Sequence, residues 1–551
     1  MTPPIDLRPD HAKIVHDIIA RRLPGGVSVR VFGSRAKWTA KPHSDLDLAF
    51  KGKGALPRAV LSDLSEAFSE SDLPFRVDVV DWHSVAQSFQ AVIDRDGVAL
   101  PWPQRTIGNF VKAGEVSLQT GPFGSQLHSY DYLPDGVPVI PTEGIKDRRI
   151  DHSVLPKISA AKANELVRHQ VKEGDILFAR RGVQATGHTA MIRTSEIGFL
   201  CGTGVIRLRI RADSLSLFPP FLAQLLSLDS SVDWFKFHAI GATMPNLNEG
   251  IISAFSFPVP PIGEQQAIAS VLAALDDKVE LNRRMNATLE RQAQAIFRDW
   301  FVDFGPVRRK QAGEADPVAI MGGLIADLTT AARLAALFPD AFGDNGLPKG
   351  WHETAIGDLV QAVGGSTPST GDESLWSPGL HYWATPKDLS GMNDLALFDT
   401  ARQISDAGLA KITSGLLPVG SVLLSSRAPI GYLAIAQVPV AINQGFIGLL
   451  PTAEIGSAYL YCWCKANMDK IIANANGSTF QEISKKNFRP ITSAFPPDRE
   501  LLSAFGGIAE LLFARMVSSA QENRTLAETR DYLLPRLMSG TVRVVPQDRT
   551  A

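Results

Sequence analysis

Cysteine is scarce in this chain, with three residues in 551, Cys201, Cys462 and Cys464. That is too few for a disulfide framework, and no second ligand pair exists for a zinc site, so a reducing compartment is expected. Cys462-x-Cys464 reads as helix packing. An excess of either charge is also lacking. The 55 basic residues face 57 acidic ones, which excludes a chain that holds a polyanion by bulk positive charge. Any nucleic-acid surface must be local. No run of about 18 uncharged apolar residues occurs, and the N-terminus has no apolar signal core, so a soluble, cytoplasmic protein is expected.

What is present is length, a normal apolar fraction of 45%, and a long self-similarity. At roughly 100 to 200 residues per domain the chain holds about three or four domains. Arg105-Thr-Ile-Gly-Asn-Phe-Val is answered by Thr354-Ala-Ile-Gly-Asp-Leu-Val, and Val171-Lys-Glu-Gly-Asp-Ile-Leu-Phe by Leu417-Pro-Val-Gly-Ser-Val-Leu-Leu. A period this long means duplicated domains, not a solenoid. Each arm ends in a proline-rich stop (Pro258, Pro260, Pro261; Pro490, Pro496, Pro497) followed by a long helical pattern.

Positions 268, 272, 275, 279, 282, 286, 289, 293, 296 and 300 form a 4-3 heptad seam with Asn282 and Asn286 in it. A second seam runs through 502, 505, 509, 512, 516, 519, 523, 526, 530, 533 and 537. Polar seam residues in both arms favour a helix pair over two separate amphipathic helices, because a buried Asn is best tolerated opposite a partner. The arm bodies are short apolar runs broken by Gly and Pro, which predict strands of an irregular α+β domain. Residues 305–346 read as a linker with one apolar helical stretch, Ile320 to Phe338.

Between residues 143 and 211 thirteen Lys and Arg face seven acids, an excess that points to a phosphate-facing surface. Arg148 and Arg149 lie in it. So does the loop Arg180-Arg181-Gly-Val-Gln184, which corresponds to Ser426-Arg427-Ala-Pro and adds donors for guanine or adenine edges. Asn246 and Asn248 are answered by Phe480-Gln481-Glu482, with Lys485 and Lys486 just beyond.

The strings Asp276-Asp-Lys-Val-Glu-Leu-Asn-Arg, Phe297-Arg-Asp-Trp-Phe-Val-Asp-Phe-Gly-Pro and Tyr532-Leu-Leu-Pro-Arg-Leu-Met-Ser-Gly540 resemble the helical regions of DNA specificity (S) subunits of Type I restriction-modification systems. The resemblance covers about residues 103 to 545. It implies two target-recognition domains reading the halves of a bipartite double-stranded DNA site, with docking of methyltransferase (M) and restriction (R) subunits. The expected DNA contacts are Arg148, Arg149, Arg180, Arg181, Gln184, Asn246, Asn248, Arg427, Gln481, Lys485 and Lys486. No P-loop is present, and Phe218-Pro-Pro-Phe221 lacks the leading Asn or Asp of an adenine methyltransferase motif and reads as a turn. The specificity region is therefore expected to be non-catalytic and to need no cofactor of its own.

The first hundred residues carry separate chemistry. Val29-Arg-Val-Phe-Gly33-Ser34-Arg35 is a strand ending in a tight turn, and Asp45-Leu-Asp47-Leu follows in a second apolar run. Alternation puts Asp45 and Asp47 on one face, and Phe75-Arg-Val-Asp78 offers a third carboxylate. Three convergent carboxylates suit divalent-metal phosphoryl chemistry. Gly33 would let the backbone approach phosphates, and Ser34 and Arg35 would hold them. The pattern G-S, a ten-residue gap, D-x-D and a distant Asp resembles the minimal nucleotidyltransferases of the polymerase-β-like superfamily. That implies Mg²⁺, a nucleoside triphosphate and transfer of a nucleoside monophosphate, with a protein hydroxyl as the expected acceptor.

The expected fold is α+β and multidomain. A nucleotidyltransferase-like α/β domain spans 1–100, and target-recognition domain 1 spans 101–261. Spacer helix 1 covers 262–304, the linker 305–346, and target-recognition domain 2 347–497. Spacer helix 2 covers 498–540, with a tail at 541–551. Two rival functions remain: a metal-dependent nucleotidyltransferase that modifies a protein and uses the arms for targeting, and a protein-binding scaffold.

Overall fold

The computed structural model describes residues 5–24, 27–100, 102–146, 148–241, 243–392, 394–477 and 481–544. Two compact units are present, Met1–Leu275 with Glu528–Ala551, and Asp276–Ala527. The protein is α+β throughout.

In the first unit the N-terminal domain is a four-stranded sheet in the order β3-β2-β1-β4 (Ser28–Phe32, β1; Leu46–Lys51, β2; Val77–Asp81, β3; Val98–Ala99, β4). β1 and β2 are antiparallel, whereas β2 and β3 run parallel through the crossover helix Arg58–Ser69. Alternation decides the faces: Val29, Val31, Leu46 and Leu48 are buried with Val15, Leu64 and Phe68, leaving Asp45 and Asp47 on the other side.

The first arm follows, with an antiparallel sheet of Thr189–Met191, Ile176–Ala179, Val205–Ile210 and Val116–Thr120. Its strand Ile176–Ala179 is buried on both faces between Phe178, Ile206 and Phe221 on one side and Leu177, Ala190 and Val205 on the other. Asp175 is buried here and receives two hydrogen bonds from Arg209, at 2.7 and 2.6 Å. Arg207, also buried, donates to the carbonyls of Arg168 and Gln170. These two arginines therefore hold the sheet, and the basic excess counted along 143–211 is not all phosphate-facing. Phe218-Pro-Pro-Phe221 is not a turn: Pro219 occupies the first position of the helix Pro219–Leu226, where its missing N–H costs nothing.

The second unit contains the second arm. A five-stranded sheet joins Ala362–Gly364, Phe446–Leu449, Val422–Ser426, Ile430–Ala436 and Ala396–Leu397, beside a three-stranded sheet of Arg402–Ile404, His381–Ala384 and Val440–Ile442. The duplication repeats down to single hydrogen bonds. Ile107 N donates to Phe255 O as Ile356 N does to Ile491 O, both at 3.0 Å. A short strand after each arm (Ser256–Pro258; Thr492–Phe495) pairs antiparallel with the one that opens it (Gln104–Thr106; His352–Ala355). Residues 305–346 are more than a linker. They form helices Gly305–Gln311, Pro317–Ile320 and Leu328–Ala336, whose Val307 and Leu334, with Met321 and Phe338 just beyond the helices, are buried in the core of this unit.

Two long helices, Ile262–Phe301 and Arg499–Ser539, run antiparallel within each unit. In the first, Ile268 and Leu272 share a core with Leu534 and Leu537. In the second, Phe297, Trp300 and Phe301 surround Phe505, with ring centroids 5.4 to 6.1 Å apart. Every position of the two expected seams is buried or half-buried. Asn282 Nδ2 donates to Asn523 Oδ1 at 3.0 Å and to Glu522 Oε2 at 2.9 Å, and Asn286 Nδ2 donates to Met516 O at 3.1 Å. This polar belt is incompletely bonded among the described residues, because Asn282 Oδ1, Asn286 Oδ1, Ser519 Oγ and Asn523 Nδ2 are buried without partners. Arg499–Ser539 is long and apolar enough in composition to cross a membrane, but its Leu502, Phe505, Ala509 and Met516 are buried against protein.

All three cysteines are free and buried, and burial pushes the Cys201 thiol up to about 12. Cys462 and Cys464 pack inside the helix Ser457–Ala466.

Candidate functional site

Asp47 sits at the centre of the N-terminal candidate site. Its neighbour across β1 is Phe32 and across β3 is Asp78, and cross-strand partners share a face. Asp45, two residues earlier and exposed, lies on that face as well. Burial holds the Asp47 carboxyl above the usual carboxylate range, and the charges of Asp78 and Asp45 add to the shift. Gly33 is required here twice over. Its φ is +74°, and a Cβ on it would collide with Asp47 Oδ2. The backbone of the Gly33–Ala36 turn therefore lies against the carboxylate, with Ser34 half-buried in that turn.

Hard oxygen donors on one face, with the Asp47 carboxyl raised by burial and by its two neighbours, fit a divalent cation in kind. They are not gathered into a ready ligand set. Among the described residues no three His, Cys, Asp or Glu side chains are arranged to hold a metal ion, and Arg76 pairs with Asp78 Oδ1 at 2.9 Å.

Arg35 is placed elsewhere than expected for a phosphate contact. Its guanidinium is buried over the Phe75 ring and donates to Ser44 O at 3.1 and 2.8 Å and to Asp6 O at 2.9 Å. It fixes the segment that delivers Asp45. Trp38 escaped notice in the sequence: an exposed indole on a left-handed residue, φ 57°, just beyond the turn. Its signal was an aromatic in a polar loop beside G-S.

In the first arm three short segments lie side by side through the pairings Arg181 with Asn246 and Asn246 with Ile240. Arg180 Nε donates to Asn246 Oδ1 at 2.8 Å and to Leu247 O at 3.1 Å. That bond engages and orients the carbonyl that Asn246 would use in two-point adenine recognition. Asn248 is a helix cap: its Oδ1 accepts from Ile251 N at 2.8 Å. Arg181 and Gln184 are exposed. Arg148, left-handed at φ 64°, donates to Gln224 Oε1 at 3.1 Å, and Arg149 pairs in a two-residue strand with Lys146.

The second arm repeats the arrangement. Arg427 pairs with Glu482, and Glu482 with Asn476. Leu247 N donates to Arg180 O as Ile483 N does to Ser426 O. This register aligns Asn246 with Glu482 and Asn248 with Ser484, which caps the helix Lys485–Phe488 through its own side chain. Arg427 Nη1 reaches Glu482 Oε2 at 3.5 Å, and Gln481, Lys485 and Lys486 are exposed. Phe480, paired with this loop in the sequence, lies outside the described residues.

Comparison with known proteins agrees with both halves of this picture. The Type I restriction modification DNA specificity domain matches residues 131–291 and again 348–501, and the polymerase beta nucleotidyltransferase domain matches residues 20–101. The chain is 28% identical over 409 residues to the Type I restriction enzyme HindI specificity subunit of Haemophilus influenzae, covering 68% of this chain and 87% of that one. The probable protein adenylyltransferase MntA of the same organism is 38% identical over 103 residues, 19% of this chain and 90% of that protein. Among solved structures, the Type I restriction-modification S subunit from M. genitalium aligns with a TM-score of 0.46 at 18% identity, over 79% of this chain and 96% of that one.

Proposed function

The chain belongs to the Type I restriction modification DNA specificity family, and from that membership we propose how its arms and its N-terminal domain divide the work. It is a specificity subunit carrying an N-terminal nucleotidyltransferase-like domain. Each arm reads one half of a bipartite duplex site, and the helix pair receives the methyltransferase subunits, with the restriction subunits joining them. The observation that carries this reading is the loop pairing repeated at equivalent places, Arg181 with Asn246 and Arg427 with Glu482. It presents two like edges with different side chains, which is what a two-part site needs. The complex works in the cytoplasm, where the duplex is.

In the first arm Arg181 and Gln184 donate to base edges, with Arg148 and Arg149 toward phosphates. In the second, Arg427 and Gln481 take the base edges and Lys485 and Lys486 the backbone. Asn246 and Asn248 act mainly by holding the loops, through Arg180 and the Ile251 amide. Single-molecule methylome mapping of cells carrying this gene with its methyltransferase tests the reading. A two-part adenine-methylated motif is expected, and a contiguous palindrome would overturn it.

For the N-terminal domain the reading is nucleoside monophosphate transfer from a nucleoside triphosphate to a protein hydroxyl. Asp45, Asp47 and Asp78 would hold Mg²⁺, which when bound neutralises triphosphate charge and favours the attacking oxygen. Gly33 admits the phosphates beside Asp47, the Ser34 hydroxyl and backbone amide donate to them, and Arg35 keeps Asp45 in place from behind. Labelled triphosphate incubated with the complex and lysate tests this. No transfer and no Mg²⁺-dependent nucleotide binding would leave the domain a structural element.

A further inference from the structure

Among the described residues the two reading edges are chemically unlike. The segments that carry Arg181 and pair with it expose four large apolar side chains: Val183 is 74% exposed, Phe237 85%, Ile240 63% and Met244 63%. They come from three stretches that the fold brings together. Val183 lies in the loop after Arg181, Phe237 is the penultimate residue of the helix Asp229–His238, Ile240 is bridged to Asn246, and Met244 stands two residues before Asn246. Leaving so much apolar surface in water is unfavourable by roughly 25 cal/mol per Å², so a cluster of this kind points to a surface covered in use.

The register that aligns Asn246 with Glu482 sets Asn476 at the place of Ile240 and Ala473 at the place of Phe237, while the place of Met244 falls to Phe480, outside the described residues. The second edge instead carries an ion pair, Arg427 with Glu482.

We infer that the two half-sites differ in composition: the first arm reads thymine methyl groups through Phe237, Ile240 and Met244, and the second reads a G·C pair through Arg427 and Glu482. This rests on the proposed reading of a bipartite DNA site. In the major groove the C5-methyl of thymine is the apolar feature that side chains meet, and it is flanked by acceptors suited to Arg181 and Gln184. Asn246 Oδ1 already accepts from Arg180, and its side-chain NH₂ is left to donate, which suits thymine O4 or a purine N7. At the second edge a carboxylate accepts from cytosine N4, while a guanidinium donates to guanine O6 and N7. The pair holds both complements to one G·C base pair and fits A·T poorly.

The test uses the full chain with its methyltransferase subunit and duplexes of the motif found by methylome mapping. Replacing thymine by deoxyuridine removes only the methyl group. The expected result is a loss of affinity of about fourfold per contacted methyl, confined to one half-site and absent in the double variant Phe237→Ser, Ile240→Ser. Glu482→Gln is expected to relax discrimination at an obligatory G·C position in the other half.

A mapped two-part motif that is indifferent to deoxyuridine in both halves would overturn the inference while leaving the proposed function intact. So would a second half-site without a required G·C pair. Failure to methylate any two-part motif would instead remove the reading beneath it. Two further outcomes also count against thymine reading. If the serine variants lose the methyltransferase subunit on purification but keep the deoxyuridine effect, the cluster is a protein contact. If 2-aminopurine fluorescence rises beside the half-site and the methyl effect is absent, the cluster is a wedge between base steps.

Discussion

Asp47 carries opposing demands. The face it shares with Asp45 and Asp78 is what metal-dependent chemistry needs, yet burial and repulsion raise its pKa in the folded chain. A carboxylate with a raised folded pKa favours folding most below its unfolded pKa and loses that contribution as pH rises through the folded value. At neutral pH the charge is therefore a burden, softened by solvent screening because the group is only half-buried. Asp47→Asn is expected to abolish nucleotidyl transfer while raising the melting midpoint of the N-terminal domain by roughly 1–3 °C, seen by calorimetry of wild type and variant.

His169 makes a second pH prediction. It is buried and accepts from Arg168 Nε at 3.0 Å, and burial with the nearby Arg168 and Arg207 charges pulls its pKa from 6.5 down to about 4. The unfolded chain then binds the proton first as pH falls. Stability of the first arm should be full above about pH 6.5 and decline toward pH 4. His169→Gln should flatten that slope in denaturant titrations across the same window.

At the scale of elements, the helix pair shows what periodicity makes legible. Ile268, Leu272, Asn282, Ala293 and Trp300, and opposite them Leu502, Met516 and Asn523, fall on the seams because heptad spacing is a local property of the chain. G-S and D-x-D are local for the same reason, since a strand's alternation fixes which carboxylates share a face. Arg35, Arg207 and Arg209 were not legible as framework residues: their partners Asp6, Gln170 and Asp175 lie 29, 37 and 34 residues away, and charge counting cannot see a distant carbonyl. Asn246 fails in the same manner, because Arg180 is 66 residues earlier.

The seam also supports a double-mutant prediction. Asn282→Leu alone leaves buried Asn523 Oδ1 without its donor, while Glu522 keeps Lys278, and should cost about 1–3 kcal/mol in urea unfolding. Replacing both Asn282 and Asn523 by Leu removes two orphaned buried atoms as well and should recover most of that loss. If the belt fixes register, the double variant should recognise the DNA gap less strictly.

For the molecule as a whole, a helix of 40 residues extends about 60 Å, so deleting one heptad from each partner removes about 10 Å, or about three base pairs of duplex. The mapped motif should keep both half-sites and lose about that many bases from the gap, or cease to be methylated. An unchanged gap would exclude the helices as its measure. The N-terminal chemistry should be separable: Asp45→Asn is expected to stop transfer and leave the methylated motif and its extent unchanged.

The far end of the chain comes back to the start of the first arm. Arg543 donates to Leu100 O at 3.0 Å, pairs with Glu264 at 2.8 Å and covers the Trp102 ring, while Gly540 lies against the same indole. Within this unit, residues 540–543 are therefore fastened to residues 100–102, just ahead of the first arm. Because these segments are neighbours, joining the chain near residues 103 and 544 and opening it between the arms should preserve the recognised sequence. A domain placed ahead of residue 100 enters beside a contact that the first arm and the last helix already make, which lets the nucleotidyltransferase-like domain sit there without disturbing what the arms read.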